Sequence, residues 1–123
     1  MHMTDSQVID LQALDRLREW GGDKLVAQMV RLFLKNSGTR MDQIRVGTET
    51  ADVAETERGA HSLKSSAANI GAEHLRALVT AVEAASLDED VAGLRELLPQ
   101  VETAYATAVA ELQAMANEMP NES

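Results

Sequence analysis

Toward the C-terminus, Val91, Leu94, Leu98, Val101, Tyr105, Ala108, Leu112 and Met115 recur in steps of three and four. That period puts them on one stripe of an α-helix, whereas a strand would scatter them over both faces. Pro99 falls inside the run. An interior proline lacks an N–H and costs a helix about 3 kcal/mol, yet the stripe keeps phase on both sides, so the expectation is one bent helix.

The rest of the chain has the same period. Leu11, Leu14 and Leu17 mark a short lead helix over about 10–20, ended by Gly21-Gly22. Leu25, Met29, Leu32, Phe33, Met41 and Ile44 mark a long helix over 23–48, with a bend expected at Gly38. A third helix over 51–70 has the seam Val53, Thr56, Ala60, Leu63, Ala67 and Ile70, and Gly71 stops it. A fourth, over 72–86, carries Leu75, Leu78, Val79 and Val82, after which Asp88 or Asp90 is placed to cap the last helix. Aromatic residues are only 2% of a chain that is 45% hydrophobic, so its core must be aliphatic, which suits helices better than sheets. Long amphipathic helices joined by short turns pack as an all-α, antiparallel up-and-down four-helix bundle, with the lead helix capping one end. The expected boundaries are 10–117 for the bundle, with residues 1–9 and 118–123 as flexible ends.

A net charge of -9 argues against affinity for nucleic acid, whose phosphates require a basic face. The chain has no cysteine, which excludes disulfides, thiolate metal sites and cysteine nucleophiles. No apolar run reaches membrane-spanning length. The expectation is a soluble, cytoplasmic protein, and a monomer because no further apolar stripe is left over for a second copy.

Within the third helix the stretch AHSLKSSAANIG, residues 60–71, surrounds one imidazole with small side chains. His61 stands about 100° from Ala60 on the helical wheel, off the seam. Its neighbours one turn away or two are Glu57, Lys64, Ser65 and Ala68. Taken singly, a histidine on a helix is an ordinary solvated residue. A surface helix normally covers itself with long charged chains, however, and here Ser62, Ser65, Ser66, Ala67 and Ala68 leave the ring standing clear. A protruding imidazole on a flattened face suits insertion into a second protein's pocket. Lys64, one turn on, disfavours a charged ring and can hydrogen-bond phosphoryl oxygens.

The unit AHSLKSSAANIGA, with lysine three residues after the histidine and glycine ten after, resembles the histidine-containing phosphotransfer domains of bacterial multistep phosphorelays. LDRLREWGGDKLVAQMVRLFL is similar to the capping helix, glycine turn and first bundle helix of that family. The resemblance implies that His61 accepts a phosphoryl group from a receiver-domain aspartate and passes it to another receiver, supported by Lys64. Many members carry glycine directly after the lysine, where this chain has Ser65. The family often projects a polar residue from the next helix toward the histidine, and spacing makes Glu83 the candidate beside the docking residues Glu57, Ser65 and Ala68.

Phosphoryl transfer needs positioning, a metal and charge stabilisation. The sequence shows no acidic metal cluster, no Gly-rich phosphate loop and no kinase signature. The resemblance therefore implies a carrier rather than an enzyme, with no cofactor of its own, and with Mg²⁺ and the aspartate pocket on the partner receiver. Its other implied partner is a hybrid sensor histidine kinase. Two alternatives stand beside it: a helical adaptor or inhibitor that docks on receivers or kinases without being phosphorylated, and the phosphoacceptor domain of a chemotaxis-type kinase. His74 is expected on the surface, away from His61. The acidic patches Glu49–Glu57 and Asp88–Asp90 are expected to be solvated faces or helix caps.

Overall fold

The computed structural model describes residues 8–119. Its helices are α1 (Leu11–Glu49), α2 (Val53–Ile70), α3 (Glu73–Leu87) and α4 (Val91–Glu118), and the described residues include no strand. Each helix packs on its neighbours in sequence, and α4 closes back on α1. The short connections force successive helices to run antiparallel, so the fold is the expected all-α four-helix bundle.

The lead helix and the long helix behind it are joined through a break inside α1. Gly21 and Gly22 leave helical geometry, and Gly22 has φ 71 and ψ -169. That backbone region is open essentially to glycine alone. The chain can therefore turn sharply, and the lead helix buries Ala13 and Leu14 across one end of the bundle. Asp10 accepts from the Gln12 N–H and so caps α1, while its own N–H donates to the Gly71 carbonyl at 2.6 Å. This bond ties the start of the chain to the α2–α3 turn. It also corrects the expected boundary at residue 10, because Ile9 is buried and Val8 packs against the core. At the other end Met119 also packs on the core. Residues 1–7, with His2, and 120–123 lie outside the described residues.

Two further expectations change in α1. The helix passes through Gly38 without leaving helical geometry. Ser37 beside it is buried and shares a 2.8 Å hydrogen bond with the Tyr105 hydroxyl, which ties this part of α1 to α4. The buried stripe in the first half of α1 is Val26, Val30 and Phe33 rather than Leu25, Met29 and Leu32. Both stripes have helical spacing, and packing selects the first, leaving Leu32 half exposed.

The α2 seam is buried as expected at Thr56, Ala60, Leu63, Ala67 and Ile70. Ala67 therefore belongs to the core and not to the surface cleared around His61. Large members such as Leu63, Ile70, Leu75, Met41 and Ile44 are almost fully removed from water, worth roughly 1.5–3 kcal/mol each. Gly59 adds a contact that periodicity did not single out. A Cβ there would lie 2.8 Å from the Arg40 carbonyl oxygen and 2.8 Å from the Gln43 Cβ. Only glycine lets the α1 and α2 backbones approach this closely, two residues before His61.

The caps fix the remaining turns. Asp52 accepts from the Glu55 N–H at the start of α2, and Gly71 ends it in the left-handed region. Asp90 caps α4 by accepting from the Gly93 N–H, while Asp88 ends α3. Pro99 lies inside an unbroken α4. No helix among the described residues is long and apolar enough to cross a membrane.

Candidate functional site

His61 projects from the middle of α2, with its side chain 64% exposed. The carboxylate of Glu83 on α3 lies against it, its Oε2 2.7 Å from the His61 Nδ1. The other oxygen, Oε1, accepts from the Lys64 Nζ. The fold produces this meeting by symmetry. α2 and α3 are antiparallel about the Gly71-Ala72 turn, and His61 and Glu83, separated by 22 residues, stand equally far from Ala72. Glu83 follows the buried Val82, so it leaves the α3 seam at its edge and reaches α2 across the shared groove. Its side chain is only 13% exposed.

Burial alone would raise the Glu83 pKa. The hydrogen bond from Lys64 and, after it, that from His61 outweigh burial and hold the carboxyl below the usual carboxylate range. At neutral pH Glu83 is thus an ionised group that can only accept hydrogen bonds. The Nδ1 facing it must carry a proton. In the neutral ring the lone pair then sits on Nε2, which has no hydrogen-bond partner among the described residues. The pairing orients the imidazole and selects its tautomer.

Glu57, one turn before His61, completes a small polar cluster. An oxygen of Glu57, a ring nitrogen of His61 and an oxygen of Glu83 all lie within 4.8 Å of one another. Two members stand on α2, and the third, Glu83, arrives from α3 as the family resemblance implied. Both Glu83 oxygens already accept hydrogen bonds, one from the ring and one from the ammonium.

The remaining predicted residues fall where the helical wheel puts them. Ser65 and Ala68 are exposed on the His61 side of α2, and Lys64 is partly covered. Ser66 turns its hydroxyl back to the Ser62 carbonyl at 3.2 Å, so it extends little from the surface. Beside this face, Ser62, Ser66 and Ile70 border a groove of about 370 Å³ whose α1 wall includes Met29, Leu32, Phe33 and Arg40. A second concavity, of about 280 Å³, joins His61 and Glu57 to Arg40, Gln43 and Arg58. The α1 residues of both were missed at the level of sequence, because contact between helices is not written in the period of either one. His74 is exposed and lines a separate groove between α3 and α4, away from the His61 cluster.

Fold and site together define a helical bundle that presents one oriented, accessible imidazole on a face of small side chains. A family model described as Hpt domain matches residues 28–120, and the chain belongs to the Hpt domain family, the phosphotransfer carriers of two-component signalling that work with receiver domains and histidine kinases. No curated protein matches the chain. Its fold is similar to that in the crystal structure of histidine-containing phosphotransfer protein B (HptB) from Pseudomonas aeruginosa PAO1. The TM-score is 0.84 at 19% identity, over 92% of this chain and 97% of that one.

Proposed function

We propose that this protein is a phosphorelay carrier whose His61 accepts a phosphoryl group from the aspartyl phosphate of one receiver domain and gives it to the aspartate of another. The observation that carries this reading is the bond between the His61 Nδ1 and Glu83, which leaves the Nε2 lone pair outward on an exposed ring.

In the forward step the Nε2 lone pair attacks phosphorus in line with the bond to the aspartate oxygen. The N–P bond forms as the P–O bond breaks, and the aspartate leaves as a carboxylate with the bonding electrons. No proton needs to move. The ring becomes positive while Nδ1–H still donates to Glu83, so the fixed carboxylate stabilises the charge that develops. The reverse sequence, with a second receiver's carboxylate as the attacking group, regenerates neutral His61.

Lys64 has two tasks here. One of its three N–H groups holds Glu83, and the other two are available to phosphoryl oxygens. Ser65 and Ala68 keep the approach open, and Glu57 borders it. The divalent cation that neutralises the phosphoryl oxygens is assigned to the receiver's aspartate pocket, so this chain contributes the nucleophile and its orientation. Hybrid sensor kinases and response regulators are the expected partners, with the protein acting as a cytoplasmic monomer.

Incubation with a phosphorylated receiver and Mg²⁺ tests the reading. The expected product is an acid-labile, base-stable phosphoprotein that His61→Gln does not form. Label retained by that variant, or a wild-type chain that accepts none from any of several receivers, would sink the carrier reading and favour an adaptor that docks without being phosphorylated.

A further inference from the structure

Arg40 differs from Arg18, Arg45, Arg58 and Arg76, each of which pairs with a carboxylate. Arg18 is held by Asp15 and Asp23, Arg45 by Asp42 and Glu102, Arg58 by Glu55 and Arg76 by Glu73. Arg40 donates instead to the neutral Gln43 Oε1 at 3.1 Å, and it makes no ion pair among the described residues. A guanidinium has five N–H donors, so most of its capacity is unspent.

Its position is built by the closest approach of α1 to α2. Gly59 admits the Arg40 carbonyl and the Gln43 side chain against the α2 backbone, two residues before His61. Arg40 and Ser62 consequently border both concavities beside the histidine, and one of these contains His61 itself. The other arginine of that concavity, Arg58, is committed to Glu55.

The electrostatic need is equally local. The chain carries a net charge of -9, and two carboxylates, Glu57 and Glu83, crowd the His61 ring. An approaching aspartyl phosphate is itself an anion. Charges within about 8–10 Å interact before salt screens them, so an unpaired cation at this rim adds to Lys64 in lowering the repulsion of the approach.

We infer that Arg40 is a specificity-determining residue for the phosphodonor, forming an ion pair with a carboxylate at the rim of the incoming receiver's phosphorylation pocket. This inference rests on the carrier reading above and names the part of this chain that admits an acidic partner.

Two phosphodonors separate the inference from the reading beneath it. Phosphoramidate, a small donor that needs no receiver, reports on His61 alone, and a phosphorylated receiver reports on docking as well. Arg40→Ala is expected to lower the ratio of receiver-dependent to phosphoramidate-dependent labelling roughly fivefold at low salt, through a higher KM for the receiver. Raising NaCl to about 0.5 M should shrink that difference, and Arg40→Lys should restore most of the ratio. An unchanged ratio in Arg40→Ala, a loss equally large at high salt, or no rescue by lysine would overturn the inference. A wild-type chain labelled by neither donor would remove the carrier reading and this inference with it.

Discussion

The Glu83 Oε2 on α3 lies 2.7 Å from the His61 Nδ1 on α2, and its Oε1 accepts from Lys64, so one carboxylate holds both groups of the site. Its pKa is lowered on folding, chiefly by Lys64 and then by His61. A depressed carboxylate contributes stability above its unfolded value, about 4.3, and loses it as pH falls through the folded value. Chemical unfolding of wild type and Glu83→Gln should differ by less than about 1 kcal/mol at pH 7, since Lys64 and His61 are partly solvated. That difference should disappear as the pH falls below the ordinary carboxylate value of about 4.3 and through the lower folded one. A gap that is constant with pH would show that the carboxylate's charge is not what stabilises the pair.

The same substitution reads on transfer. Glutamine can still accept from Nδ1–H but brings no negative charge to a ring that becomes positive. Glu83→Gln is expected to slow receiver-dependent phosphorylation about tenfold with little loss of helicity. Rapid-quench kinetics and circular dichroism check the two halves. A wild-type rate in this variant would mean that His61 needs no carboxylate partner.

Glycines 38 and 59 should respond in opposite directions to alanine. At Gly38 the nearest atom to an added Cβ is the Tyr105 hydroxyl at 3.8 Å, ordinary contact, so Gly38→Ala should stabilise by about 0.5–1 kcal/mol through helix propensity. At Gly59 the Cβ would meet the α1 backbone at 2.8 Å, and overpacking should cost about 1–3 kcal/mol. Urea midpoints of the two variants moving the same way would contradict the helix approach described here.

The α1–α2 turn passes through Ala51 with φ 59. A left-handed conformation costs a residue with a Cβ about 1–2 kcal/mol, part of which glycine gives back in the unfolded chain. Ala51→Gly should therefore raise stability by about 0.5–1 kcal/mol, measured as a shift in Tm. No gain, or a loss, would argue against this turn geometry.

Trp20, the sole tryptophan, is 88% exposed and borders a concavity with Leu17, Leu25 and Ala68 near the C-terminal end of the His61 face. Its fluorescence should be quenched readily by acrylamide in the free protein. Addition of a cognate receiver should reduce that quenching if docking extends from His61 past Ala68. Strong protection in the free chain would place the indole elsewhere.

The sequence by itself determined the helices, their order and the identity of the exposed imidazole. Steps of three and four are a local property, and they survive even Pro99 because the whole α4 stripe faces one core. The capping residues were legible for the same reason, and Asp52 and Asp90 act within a turn of themselves. In α1 the local signal was ambiguous, since Leu25, Met29 and Leu32 have the same period as Val26, Val30 and Phe33. Only packing against the other helices decided that the valines go inside and that Met29 and Leu32 border the groove beside Ser62. Ile9 was likewise drawn into the core by the bond between Asp10 and Gly71, a contact across most of the first two helices. The site divides in the same way. His61, Lys64 and Glu57 share one helix and can be read from spacing, whereas Glu83, named only through the family resemblance, meets the ring from α3 and Arg40 borders the same concavity from α1. Their arrival depends on the antiparallel register about Ala72 and on the space at Gly59, which are relations between helices that no single helical period contains.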